Sequence, residues 1–421
     1  MPQFDPIAVV SMGCAFPGAP DPDVFWTRIV DGEDAAAPVP QHRWQVPVAT
    51  MVAEKPGPDR ALSHRACLIG DMPLDIDGLA LPVEMIRSLD PLYHLLIHAA
   101  RQAAEGCQLL PSLAPERIST ILAAIALPTD HANRLNDETV GWAYRQRLSG
   151  AKPHRGDPLT DAQTLGARVT SLPAALTAAC FGWTGGSYTL DAACASSLYA
   201  VKLACDELQA RRADAVVTGG VSRPDCLYTQ VGFSQLRALS PTGRCAPFSR
   251  RADGLVVGEG AGVVVLKRLA DAISHKDTIF GIIRGIGLSN DMRGNLLAPD
   301  SEGQLRAMRQ AYETAGWSPD DVDHIECHGA GTPVGDATEL SSLSSLWEGL
   351  PHTVGQCAIG SVKSMIGHLL TAAGAAGLIK SLLALRHETL PPSLKADPPA
   401  DHPALTTGPF HVQTTAAHWQ Q

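Results

Sequence analysis

The chain has 421 residues, 45% of them hydrophobic and 18% charged, with a formal net charge of −10 at pH 7. That length buries a large core, in one α/β unit or two similar halves. The negative charge weighs against nucleic acid or an anionic membrane as the main partner, and ten cysteines without a C-x-x-C pair point to reduced thiols in the cytoplasm.

Residues 1–18 do not read as a signal peptide, because Asp5 precedes a very short apolar stretch and no basic region comes before it. Residues 40–82 are Pro-rich and irregular, an expected surface excursion. The uncharged stretch 169–190 contains Pro173, Gly182, Gly185-Gly186 and several hydroxyls, so a buried strand–loop–strand is expected there and a membrane span is not. Cys194 follows, where a short apolar strand gives way to good helix formers. A thiol there faces unpaired helix N–H groups, and the helix dipole favours thiolate, the nucleophilic form. Any single cysteine is more often packing than catalysis.

Residues 195–211 read as a helix, with Leu198, Val201, Ala204, Cys205 and Leu208 at three- and four-residue spacing. A buried strand over 213–221 comes next. Gly258-Glu259-Gly260-Ala261-Gly262 lacks the features of a P-loop or dinucleotide fingerprint, so close backbone packing is expected. Segments 260–266 and 278–286 are further strands, 302–315 a helix, and 322–327 a strand delivering His328. His324, Cys327 and His328 invite a zinc reading, but a tetrahedral site needs further ligands at sensible spacing, so no metal is expected. His368 follows Gly367, and 372–385 reads as a buried helix. This alternation favours mixed α/β layers. One cysteine and two glycine-flanked histidines form a candidate reacting site.

Asp191-Ala192-Ala193-Cys194-Ala195-Ser196-Ser197, His328-Gly329-Ala330-Gly331-Thr332-Pro333-Val334-Gly335-Asp336 and Ser361-Val362-Lys363-Ser364-Met365-Ile366-Gly367-His368 resemble the three catalytic motifs of the β-ketoacyl synthases of the thiolase superfamily. Leu239 to Phe248, Ala252 to Gly262 and the opening Ile7 to Gly18 support the match, most like ketosynthase domains of type I polyketide and polyunsaturated-fatty-acid synthases. Ser88-Leu89-Asp90-Pro91 matches a segment leading into an early helix. The resemblance implies the thiolase fold, two related halves stacked as αβαβα. A boundary near 271–277 would leave 1–271 carrying the cysteine and 272–421 carrying both histidines.

It also implies a chemistry. Cys194 takes up an acyl group, because a thiolate attacks thioesters readily and leaves easily. His328 and His368 promote decarboxylation of a malonyl-type thioester and stabilise the enolate as neutral donors. Lys363 holds the site's hydrogen-bond and charge network. Thr332 contacts the pantetheine arm, Glu339 is structural, and Phe233 lines the acyl pocket or packs in the core. No cofactor binds directly; substrates ride on the phosphopantetheine of an acyl carrier protein, and a homodimer, or a heterodimer with another ketosynthase, is implied.

Departures are equally specific. Ala330 stands where many relatives carry Thr, removing a hydroxyl that binds pantetheine at a cost of about 1 kcal/mol. Leu255 replaces a common Phe and reshapes the acyl pocket; Met365 replaces an Asn. Family members continue past Pro409-Phe410-His411-Val412 into a Gly-Phe-Gly-Gly-Thr-Asn loop and a last strand pair, which this sequence lacks. A portion of a longer synthase, or a relative with impaired activity, is therefore expected. Besides the condensing enzyme, two readings stay open: a non-catalytic, chain-length-factor-like partner, and a thiolase-fold acyltransferase or hydrolase that does not condense.

Overall fold

The computed structural model describes residues 4–108, 110–150, 159–293 and 299–419. Long apolar runs become strands covered on both faces, as layered α/β folds require. Six strands form the larger sheet, in spatial order Ser187–Leu190, Ile118–Ala124, Ala215–Ser222, Gly260–Arg268, Ile7–Ala15 and Gly281–Ile283. The strand Ile118–Ala124 runs parallel to both its neighbours, whereas Gly260–Arg268 and Ile7–Ala15 pair antiparallel. One face packs on the helices Pro91–Gly106 and Pro173–Phe181, the other on Ser196–Gln209 and Ala373–Arg386.

Phe410–Val412, Cys357–Gly360 and His324–Glu326 form a parallel three-stranded sheet. Its outer core joins Phe410, Cys357 and Ile359 to Leu340, Leu343 and Trp347, on and just after the helix Pro333–Leu346. The inner side meets helix Ala373–Arg386, where a Cβ at Gly377 would lie 3.1 Å from Glu326 Cγ. The layers thus run αβαβα, as expected, with Ser196–Gln209 and Ala373–Arg386 in the middle.

Most expected elements are present with trimmed ends. The stretch 278–286 pairs only over Gly281–Ile283, because Gly285 and Gly287 lie flat against the helix Ser301–Ala315. Two expectations need correction. The stretch 169–190 is not strand–loop–strand: Pro173 starts a helix through Phe181, Gly182 in the left-handed region ends it, and only Ser187–Leu190 is strand. Nor are residues 40–82 mere surface. Trp44, Ala61 and Ala66 pack with Val39 and Cys226, and Arg43 binds buried Glu259 through two bonds of 3.1 and 2.7 Å.

The segment around 271–277 is the helix Leu269–His275, fastened by a buried Lys267–Asp277 ion pair. Beyond it, Gly281–Ile283 adds a strand to the first sheet. Among the described residues, no helix is long and apolar enough to cross a membrane.

Candidate active site

A tight turn presents Cys194. Asp191 accepts the Ala193 N–H at 2.9 Å and the Ala126 N–H at 3.0 Å. Ser196 Oγ accepts the Ala192 N–H and donates to the Ala193 carbonyl, at 2.7 and 2.6 Å. These bonds hold Ala193 at φ 52°, a left-handed conformation that side chains with a Cβ avoid. The next residue, Cys194, therefore stands at the mouth of helix Ser196–Gln209. It is part-buried, whereas the other nine cysteines are buried. Desolvation pushes its thiol above the ordinary range, and only partly do Lys363 and its own backbone N–H pull it down. The expected thiolate preference is thus overturned in the resting site: loss of solvent outweighs the helix terminus.

Strand His324–Glu326 delivers the next component. Glu339, on helix Pro333–Leu346, accepts the N–H groups of His328 and Gly329 at 2.7 and 2.8 Å. Asp336 accepts those of Gly331 and Phe248 at 3.2 and 2.8 Å, and burial raises its carboxyl to about 7. Ser361 Oγ donates to the His328 carbonyl at 3.3 Å. His328 is exposed in part. The protein around it, then the Lys363 charge, hold its imidazole well below the usual histidine range.

His368 follows the short helix Lys363–Ile366 and is buried. Its N–H donates to the Val256 carbonyl at 2.7 Å, and its carbonyl accepts the Gly258 N–H at 3.0 Å. Nδ1 accepts the Leu370 N–H at 2.9 Å. A backbone amide can only donate, so Nδ1 is unprotonated and the neutral ring carries its proton on Nε2. Burial, then Lys363 and His328, keep this ring neutral. The two imidazoles meet edge-on, centroids 5.3 Å apart at 75°.

The sulfur turn is stitched to the His368 segment. Ser197 Oγ accepts the Ala375 N–H at 2.9 Å, and Thr371 Oγ1 donates to the Val221 carbonyl at 2.7 Å. A Cβ at Gly220 would lie 2.6 Å from the Thr371 carbonyl, so only glycine permits this approach. Buried Lys363 projects its charge onto Cys194, His328 and His368 alike.

Phe233, Leu255 and Ala330 share one apolar cluster with Leu239 and Val257. It is tied to both histidine segments: Gly254 N–H donates to the Gly331 carbonyl at 2.9 Å, and Val257 bridges to His368. Thr332 sits half-buried at the start of helix Pro333–Leu346, and its side chain does not cap that helix. Glu339 holds the His328 loop through the two backbone N–H groups it accepts. Sequence reasoning missed Asp191, Asp336, Glu326 and Lys380. Asp191 and Asp336 stood inside quoted motifs, but nothing in one sequence tells which backbone N–H a carboxylate will meet.

Residues 4–272 match the β-ketoacyl synthase N-terminal domain, and residues 280–397 match the β-ketoacyl synthase C-terminal domain. The chain is 34% identical over 424 residues to a phenolphthiocerol/phthiocerol polyketide synthase protein of Mycobacterium tuberculosis, covering 99% of this chain and 26% of that protein. It is 36% identical over 428 residues to the PKS-NRPS hybrid synthetase acdB of Aspergillus candidus, covering 99% and 16%. Among solved structures, the PfaC keto synthase–chain length factor superposes with a TM-score of 0.90 at 34% identity, covering 99% of this chain and 45% of that one. The oxazolomycin ketosynthase domain OzmH KS7 of Streptomyces albus gives 0.84 at 27% identity, covering 99% and 71%. The chain spans about a quarter, or less, of the length of these curated relatives.

Proposed function

The chain belongs to the β-ketoacyl synthase family, and from that membership we propose that it is a decarboxylating condensing enzyme acting on carrier-bound thioesters. In this reading Cys194 attacks an acyl thioester, displaces the carrier thiol and keeps the acyl group. A malonyl-type thioester then enters on the phosphopantetheine arm of an acyl carrier protein, past Thr332. Its carboxylate leaves as carbon dioxide, and the bonding pair passes into an enolate whose oxygen needs N–H donors. The nucleophilic carbon attacks the acyl carbonyl, and the Cys194 thiolate departs, leaving a β-ketoacyl product on the carrier.

One observation carries the reading: two imidazoles held neutral meet edge-on, His368 carries its proton on Nε2, and the segment just after His368 is tied to the cysteine helix through Ser197. A neutral donor stabilises a developing oxyanion, and a fixed donor needs no reorganisation as charge appears. We assign Lys363 to tuning the charge of all three groups. Phe233 and Leu255 wall the acyl chain, Ala330 lies on the path of the pantetheine arm, Glu339 positions the His328 loop, and the two halves join near 271–277. A cytoplasmic dimer is the assembly this reading carries.

A second reading, a chain-length-factor-like partner without catalysis, draws on the likeness to the PfaC keto synthase–chain length factor. Incubation with acyl and malonyl carrier thioesters, followed by mass spectrometry, separates the two. The condensing enzyme acylates Cys194 and yields a β-ketoacyl carrier, and Cys194→Ala abolishes both. Absence of acylation in the intact protein favours the partner, and acylation without a β-keto product favours simple acyl transfer or hydrolysis.

A further inference from the structure

Outside the reacting residues, one pair of buried charges links both histidine segments. Lys380, on the central helix Ala373–Arg386, is fully buried with Nζ 2.7 Å from Glu326 Oε2. Glu326 ends its strand two residues before His328, and its Oε1 accepts the Val362 N–H at 2.7 Å. Val362 in turn starts the short helix Lys363–Ile366. Gly377 makes room on the helix, since a Cβ there would crowd Glu326 at 3.1 Å. Removing two charges from water is unfavourable, and apolar side chains of equal volume often stabilise a fold as well or better. What apolar side chains lack is an acceptor held by one segment and aimed at the backbone of the other.

We propose that the Glu326–Lys380 pair is a positioning device, clamping the strand that delivers His328 to the turn that delivers Lys363 and His368, and so fixing the Lys363 ammonium relative to Cys194. This rests on reading Cys194 as the nucleophile. Two charges act on that thiol, Lys363 favouring thiolate and Asp191 opposing it. A clamp that slackens therefore alters the sulfur without touching it.

The test follows alkylation of Cys194 in the intact protein by iodoacetamide across pH, located by mass spectrometry. It needs no condensation, so failure of the functional reading shows separately, as a wild-type protein that alkylates but makes no β-keto product. Glu326→Leu with Lys380→Met removes both charges and the acceptor at similar volume. Its profile is expected to move to higher pH, slowing alkylation at pH 8 by roughly threefold to tenfold, equivalent to about half to one pKa unit. Glu326→Gln with Lys380→Met keeps an acceptor oxygen and is expected to follow wild type. Val362→Pro removes the N–H and leaves both charges in place, replacing a buried valine by a ring of similar size at a φ of −58° that proline accepts, and should reproduce the Leu/Met shift. This third variant keeps the idea falsifiable if the Leu/Met protein does not fold. A folded Leu/Met or Pro variant with a wild-type profile overturns the clamp. So does a Gln/Met variant shifted as far as Leu/Met.

Discussion

The two glycine-flanked histidines are held differently. His368 is fixed by its own ring, through the Leu370 N–H on Nδ1, while His328 is fixed through its backbone by Glu339. On the proposed mechanism, removing either imidazole deletes one donor to the enolate and leaves the sulfur in place. His328→Ala and His368→Ala are each expected to slow condensation by about 100- to 1,000-fold while self-acylation falls far less. Parallel measurement of the two steps checks this, and equal loss of both would refute the division of labour. The sequence disclosed these residues because cysteine and histidine between glycines are chemically conspicuous. It hid the direction of the Cys194 shift, which depends on burial by residues distant in the chain, and the His368 tautomer, which depends on how the backbone turns at Leu370 two residues on.

At the scale of elements, approach distance governs the site. The strand Ala215–Ser222 ends beneath the Leu370–Ala372 turn, and Gly220 leaves no space for a methyl against the Thr371 carbonyl. Backbone cannot swing aside as a side chain can. Gly220→Ala is therefore expected to displace the His368 turn from the Cys194 helix, lowering stability by about 1–3 kcal/mol and condensation with it. Thermal unfolding and product formation read the two effects, and an alanine variant native in both would show that this contact is slack. Elements with a period were legible: the helix at Ser196–Gln209 buries Val201, Ala204, Cys205 and Leu208 at the expected spacing, although Leu198, read on the same face, stays exposed. The helix at Pro173–Phe181 was not, because an unbroken apolar run fits a buried strand and a buried helix equally. Trp44 was hidden for another reason: its mini-core depends on Cys226, far along the chain.

For the whole molecule, the alternation of strands and helices marked α/β layers, and the three motifs marked the αβαβα stack. Local pattern could not reveal that one sheet recruits a strand from beyond residue 280. Histidines trapped in neutral form set an acid limit on this assembly. Burial lowers His324 to about 4, and His328 and His368 also lie below the ordinary 6.5. Below 6.5 the unfolded chain binds protons that the folded one refuses, so unfolding gains as pH falls. Asp336 and Glu339 work the other way, since burial raises their carboxyls and the folded chain takes up those protons first. Melting temperature should therefore decline below pH 6.5 toward pH 4, but less steeply than the three rings alone would make it. A rise on acidification across that window would mean the rings take up protons freely in the native state.

The strand Gly281–Ile283 crosses to the edge formed by Ile7–Val9, and helix Ala373–Arg386 lies between both sheets. The sulfur-bearing portion thus borrows its last ribbon and part of its floor from the histidine-bearing portion. Anyone splicing chimaeras from two synthases at residue 271 would cut through a shared wall. A junction after the borrowed ribbon would keep that edge whole, while the common floor would still have to match across it.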